Sequence, residues 1–127
     1  MASEGLHEAR EVLDEPTMDY HRAMTSLCEE FEAIDWYDQR VKATSDPGLG
    51  ALLAHNRDEE KEHAAMVLEW LRRRDGVLDQ NLRAYLFSSE PVTEVEAAGL
   101  GSERGPQEAV VAGPGSLGIG SLQGSER

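Results

Sequence analysis

Apolar positions recur in steps of three and four through the first third of the chain. Ala23, Leu27, Ile34, Tyr37 and Val41 fall on one side of a helix, and Met24 and Phe31 widen that face. The same steps run through Leu49, Leu53, Val67 and Trp70. The pattern predicts a polar lead over residues 1–16, a helix to about residue 42, a second from Pro47 to Arg74 and a shorter third from about 77 to 87. Between the first two, "ATSDPG" offers Asp46 as an N-cap and Pro47 as the first helical residue, where its missing N–H costs nothing. So short a connection predicts an antiparallel two-helix hairpin, in an all-α fold. Arg72, Arg73 and Arg74 complement the negative end of the second helix, and Gly76 is expected to close it as a left-handed C-cap.

Each apolar seam is interrupted at its centre. The first carries Glu30 and the second carries Asn56, Glu60 and His63. Glu30 lies 14 residues before Thr44 and Glu60 lies 14 residues after Asp46, so both sit roughly 21 Å from the turn and should meet at one level. His63, at i+3, stands beside Glu60 on the same face. Placing two carboxylates and an imidazole in a packing seam costs several kcal/mol unless they are compensated. Hydrogen bonds alone are one solution and a metal ion is the better one. Glu oxygens and a His nitrogen with no Cys nearby suit iron, manganese or zinc rather than calcium. One hairpin supplies only three such side chains. A two-fold dimer would double them into a four-helix bundle with a Glu from each of two helices and a Glu-x-x-His from each of the others, the arrangement of ferritin-like di-iron carboxylate proteins.

The stretches "HRAMTSLCEEFEAIDWYDQR" and "LLAHNRDEEKEHAAMVLEWLRRRD" resemble the encapsulated ferritins, the ferritin-like cargo proteins of encapsulin nanocompartments, and the similarity covers about residues 7–96. The resemblance implies an iron(II)-oxidising centre with two irons, formed only at a dimer interface, in an open ring of dimers such as a decamer. It places the di-iron ligands on Glu30, Glu60 and His63, and the tyrosine beside the centre on Tyr37. It places the carboxylates where metal enters on Glu29 and Glu32, near Trp36, and these three also share one helical face next to the seam. His55, Glu59 and Glu62, a further face at i, i+4 and i+7, are implied as a peripheral metal contact between subunits, although by spacing alone they read as surface.

Charge narrows the partners. With 25 Asp and Glu against 12 Lys and Arg, the formal net charge of −13 repels nucleic acid and anionic lipid while concentrating cations. The N-terminal "MASEGLHEAREVLDEP" has neither a basic nor an apolar region of a leader, and no run approaches a membrane span, so a cytoplasmic protein is expected. Cys28 reads as a small hydrophobe and Trp70 as packing.

After Pro91 the composition changes. Eight glycines and two prolines between Gly99 and Arg127 predict a largely disordered tail. Within it, "GSLGIGSLQG" sets Leu117, Ile119 and Leu122 on an extended peptide suited to small pockets, and it resembles the targeting peptides that dock cargo inside encapsulin shells. The expected organisation is therefore a lead (1–16), a ferritin-like helical domain (17–96), a flexible linker (97–115) and a targeting peptide (116–127). The function expected from the whole is a ferroxidase supplying iron to an encapsulin shell for storage and so serving iron homeostasis. The alternatives are a manganese or iron peroxide-consuming protein of the same fold, or a non-catalytic helical cargo or adaptor.

Overall fold

The computed structural model describes residues 5–100, so Leu117, Ile119 and Leu122 lie outside the described residues. Among these, every regular element is helical: a short 3-10 turn at Arg10–Val12, α1 (Glu15–Ala43), α2 (Pro47–Arg74), α3 (Gly76–Tyr85), α4 (Val92–Val95) and a π-helical turn at Glu96–Leu100. The chain divides into two compact units, Met1–Trp70 and Leu71–Arg127.

In the first unit, α1 starts two residues earlier than its periodicity suggests. The Asp14 carboxylate accepts from the Thr17 backbone N–H at 2.9 Å, and Pro16 sits in the first turn, where no helical hydrogen bond is lost. The helix ends at Ala43, and Asp46 reopens the chain as expected: its carboxylate accepts from Gly48 N–H at 3.0 Å, with Pro47 the first residue of α2. Two side-chain pairs fix the direction of the hairpin. Arg57 reaches Asp38 and His63 reaches Glu30, so the position on α1 falls as the position on α2 rises, and the two helices run antiparallel.

In the second unit the arginine run is followed by a new helix rather than a left-handed cap. The Asp75 carboxylate accepts from Val77 N–H at 3.1 Å and Leu78 N–H at 3.0 Å, which makes Asp75 the N-cap of α3 and Gly76 its first residue. The expectation of Gly76 as a C-cap is thus corrected. Asp79, 2% exposed, is bonded by Arg72 and by Arg83, whose Nε lies 3.1 Å from Oδ2. One buried carboxylate therefore ties the end of α2 to α3. Helix α3 stops at Tyr85, before the predicted residue 87. Phe87 takes a left-handed φ of 65°, an uncommon conformation for a bulky residue, and the Ser88 hydroxyl donates to the Tyr85 carbonyl at 2.7 Å beside it.

The apolar core of the described residues is thin. Met18, Ala64 and Leu71 are buried, whereas Met24, Phe31, Trp36, Leu52 and Met66 are exposed. Met24 and Phe31, seven residues apart, share one side of α1, and Leu52 and Met66, fourteen apart, share one side of α2.

Candidate metal centre

Glu30 and Glu60 are set at one level by length alone. Each helix leaves a three-residue break and rises by about 1.5 Å per residue, so equal counts from the turn give equal heights. The structure bears this out: one ligand atom each from Glu30, Glu60 and His63 lie within 4.8 Å of one another. His63 Nδ1 is 3.2 Å from Glu60 Oε1 and 3.7 Å from Glu30 Oε1. Among the described residues this is the group of three His, Cys, Asp or Glu side chains that converges in this way.

The carboxylates sit in partial shelter, with 24% of the Glu30 side chain and 23% of the Glu60 side chain exposed, while His63 is half exposed. Burial raises the Glu30 carboxyl above the ordinary carboxylate range. Glu60 pushes the same way by hydrogen bonding and by its charge, Glu29 adds to it, and His63 opposes it. Two acids and an imidazole held this closely are in tension when nothing positive lies between them. The donor set fits a borderline-to-hard divalent ion such as iron(II), manganese or zinc, which Glu30, Glu60 and His63 would hold. Away from the turn, the same face continues as a groove of about 490 Å³ lined by Ala23, Ser26, Met66, Val67 and Trp70.

The EncFtn-like family model matches residues 5–89. The chain belongs to this family. An encapsulated ferritin-like protein of Rhodospirillum rubrum is 56% identical over 127 residues, an alignment spanning 97% of this chain and 91% of that one. A ferritin-like protein of Thermotoga maritima is 52% identical over 90 residues, 71% of this chain and 79% of its own. Among solved structures, the crystal structure of a Nitrosomonas europaea protein superposes with a TM-score of 0.68 at 55% identity, covering 70% of this chain and 98% of that one. The all-helical, ferritin-like fold of an EncFtn-like protein is therefore established from three directions, and with it an iron-related, ferritin-like class of role.

The other residues singled out from the sequence supply none of the three converging ligand atoms. The Tyr37 ring carries the Arg40 guanidinium 5.4 Å from its centroid. Glu29 is exposed, Glu32 half-buried, and Trp36 lines a shallow depression with Gln39 and Arg40. His55 Nε2 pairs with Glu59 at 3.1 Å, and Glu62 is exposed on the same helix. Cys28 is half-buried and free. The spacing of the chain did not reveal Arg57, which stands three residues before Glu60. It donates from Nη1 to Asp38 Oδ1 and from Nε to Asp58 Oδ1, both at 3.0 Å. Its only signal in the sequence is that i,i+3 relation to Glu60. No helix among the described residues is long and apolar enough to cross a membrane.

Proposed function

We propose that this EncFtn-like chain is a ferroxidase, oxidising iron(II) to iron(III) at a centre completed by a second copy of itself. The convergence of Glu30, Glu60 and His63 carries the reading, because an EncFtn-like chain has no simpler use for a half-sheltered pair of carboxylates beside an imidazole. Three ligating side chains, one of them a half-exposed imidazole, describe half of a two-metal site. The exposed Met24, Phe31 and Met66 supply apolar surface that a two-fold partner would cover. In that arrangement four carboxylates and two imidazoles face two ions.

Iron(II) is the substrate, and each ion gives up one electron to O₂ or a peroxide. The chain's contribution is electrostatic: Glu30 and Glu60 concentrate negative charge where the ion gains positive charge, favouring iron(III) over iron(II). His63 supplies the nitrogen donor, and the ion itself offsets the mutual repulsion of the acids. Tyr37 stands beside the centre in this reading, and Glu29, Glu32 and Trp36 mark the approach. His55, Glu59 and Glu62 serve as a peripheral metal contact between subunits. Dimers assemble further into a ring. The relative named as encapsulated supports a role as cargo of an encapsulin shell, docked by the segment bearing Leu117, Ile119 and Leu122, with the shell holding the mineral.

The test is anaerobic addition of iron(II) followed by air, and separately by peroxide, with iron(III) absorbance recorded against a protein-free control. Faster oxidation than the control, lost in Glu60→Ala and His63→Ala while helicity persists, is expected. Parent-like oxidation by either variant would remove that residue from the site, and no enhancement by the parent would favour a non-catalytic cargo.

A further inference from the structure

Arg57 raises a problem for a metal site. It lies three residues before Glu60 on α2, the spacing at which an arginine and a glutamate ordinarily pair on a helix surface. A guanidinium is a permanent cation with a planar fork that matches carboxylates, so it is a strong internal competitor for any divalent ion. Yet no bond links Arg57 to Glu60 or Glu30. The Arg57 hydrogen bonds go to Asp38 and Asp58 instead, both at 3.0 Å.

The reason is visible in its partners. The Arg57 stem leans toward the start of α2, as helix side chains do, and its Nη1 is held at 3.0 Å by Asp38, which lies eight residues nearer the turn than Glu30 on α1. Asp58 holds Nε, but Asp58 is also 3.6 Å from the Lys61 ammonium and shares its charge. Asp38 is the anchor that comes from the opposite helix and sets the direction of the guanidinium.

We propose that Asp38 is a positioning residue that acts through Arg57. It draws the guanidinium toward the turn and so keeps an intramolecular cation out of the Glu30–Glu60 carboxylate pair, leaving that pair open to a divalent metal ion. This rests on the reading of the cluster as a metal site. Without the Asp38 charge, Arg57 divides its time between Asp58 and Glu60. Metal affinity then falls by the fraction of chains whose carboxylates are already occupied.

The competing account is that the Asp38–Arg57 pair is a simple strut between helices, and the two accounts differ in what the single variants do. The experiment is an anaerobic cobalt(II) titration of the full-length chain at fixed protein concentration, read by the visible absorption of the bound ion. Helicity is checked for each variant. Asp38→Asn should weaken binding about fivefold, the effect of a competitor that wins roughly four-fifths of the time. Arg57→Met should bind like the parent, and the double variant should recover parent affinity, because the competitor is gone. A strut predicts instead that Arg57→Met weakens binding as much as Asp38→Asn and that the double variant stays weak, and that result overturns the proposal. An unchanged affinity in Asp38→Asn also overturns it. If the parent binds no cobalt(II), or Glu60→Ala binds as tightly as the parent, the metal reading itself has failed, a result distinct from either pattern.

Discussion

Replacing Glu30 by glutamine should make the metal-free chain more stable, although it removes a proposed ligand. The Glu30 and Glu60 ligand oxygens lie within 4.8 Å of each other. Two unit charges at that separation repel by roughly 3.5 kcal/mol at an effective dielectric of 20 and by about 0.9 kcal/mol in bulk water. Both side chains keep nearly a quarter of their surface in solvent, so the screened end of that range applies, and the gain expected is about 1 kcal/mol. For a domain of this size that is a rise of about 4–8 °C in midpoint. The assay is thermal unfolding followed by circular dichroism in chelator at pH 8, at protein concentrations low enough to keep the chain monomeric.

The pH dependence gives a second check. Because the Glu30 carboxyl is raised in the folded state, by burial and then by Glu60, folding binds its proton more tightly than the unfolded chain does. The parent therefore carries no penalty below the ordinary glutamate value of 4.5 and loses stability as pH rises through the raised folded value. The advantage of Glu30→Gln should shrink on acidification from pH 8 toward 4.5. Saturating iron(II) under anaerobic conditions should reverse the order, since only the parent keeps its full donor set. A variant that melts at or below the parent in chelator across this range would refute the view that the two acids strain the empty site.

Three further outcomes follow from other parts of the molecule. Asp79→Asn should cost about 2 kcal/mol in urea unfolding, because a buried carboxylate loses charge-assisted bonds, whereas removing the exposed Arg83 should cost less than about 1 kcal/mol; the opposite order would count against Asp79 as the tie between α2 and α3. Iron(II) should shift the stripped chain toward dimers in sedimentation at low concentration, because metal neutralises acids that association brings together, and an unchanged distribution would sever assembly from metal. Deleting residues 101–127 should leave iron oxidation intact and abolish copurification with an encapsulin shell, and equal loading of the shortened form would move the docking surface to the helical part.

Helices α1 and α2, and the meeting of Glu30 with Glu60 and His63, were legible because a helix is a rod of fixed rise. Once Asp46 and Pro47 fix the turn, counting residues places side chains in space. What was not legible depends on which of two partners a polar side chain selects. Gly76 after three arginines reads as a helix end, but the Asp75 carboxylate captures Val77 and Leu78 N–H groups and turns the same glycine into a helix start. Asp79 carries no spacing signal of its own, and only Arg72 and Arg83 closing on it bury its charge. Arg57 could have paired with Glu60, Asp58 or Asp38 on spacing alone, and only the packed hairpin decides. The left-handed Phe87 has no sequence mark, since nothing in its type asks for that conformation.

The equal arms of the hairpin turn the span from Glu30 to Glu60 into a gauge. Inserting one residue within either helix between those two acids would slide the far carboxylate by about 1.5 Å and swing it by about 100°, taking it off the face it shares with its partner. Insertions before Glu30 or after His63 carry no such penalty. Length variation in natural or laboratory-made versions of this chain should therefore collect at the two ends. Between the acids it should survive only as matched additions of whole helical turns to both arms, so that an unpaired single-residue insertion there marks a version that has given up the metal site.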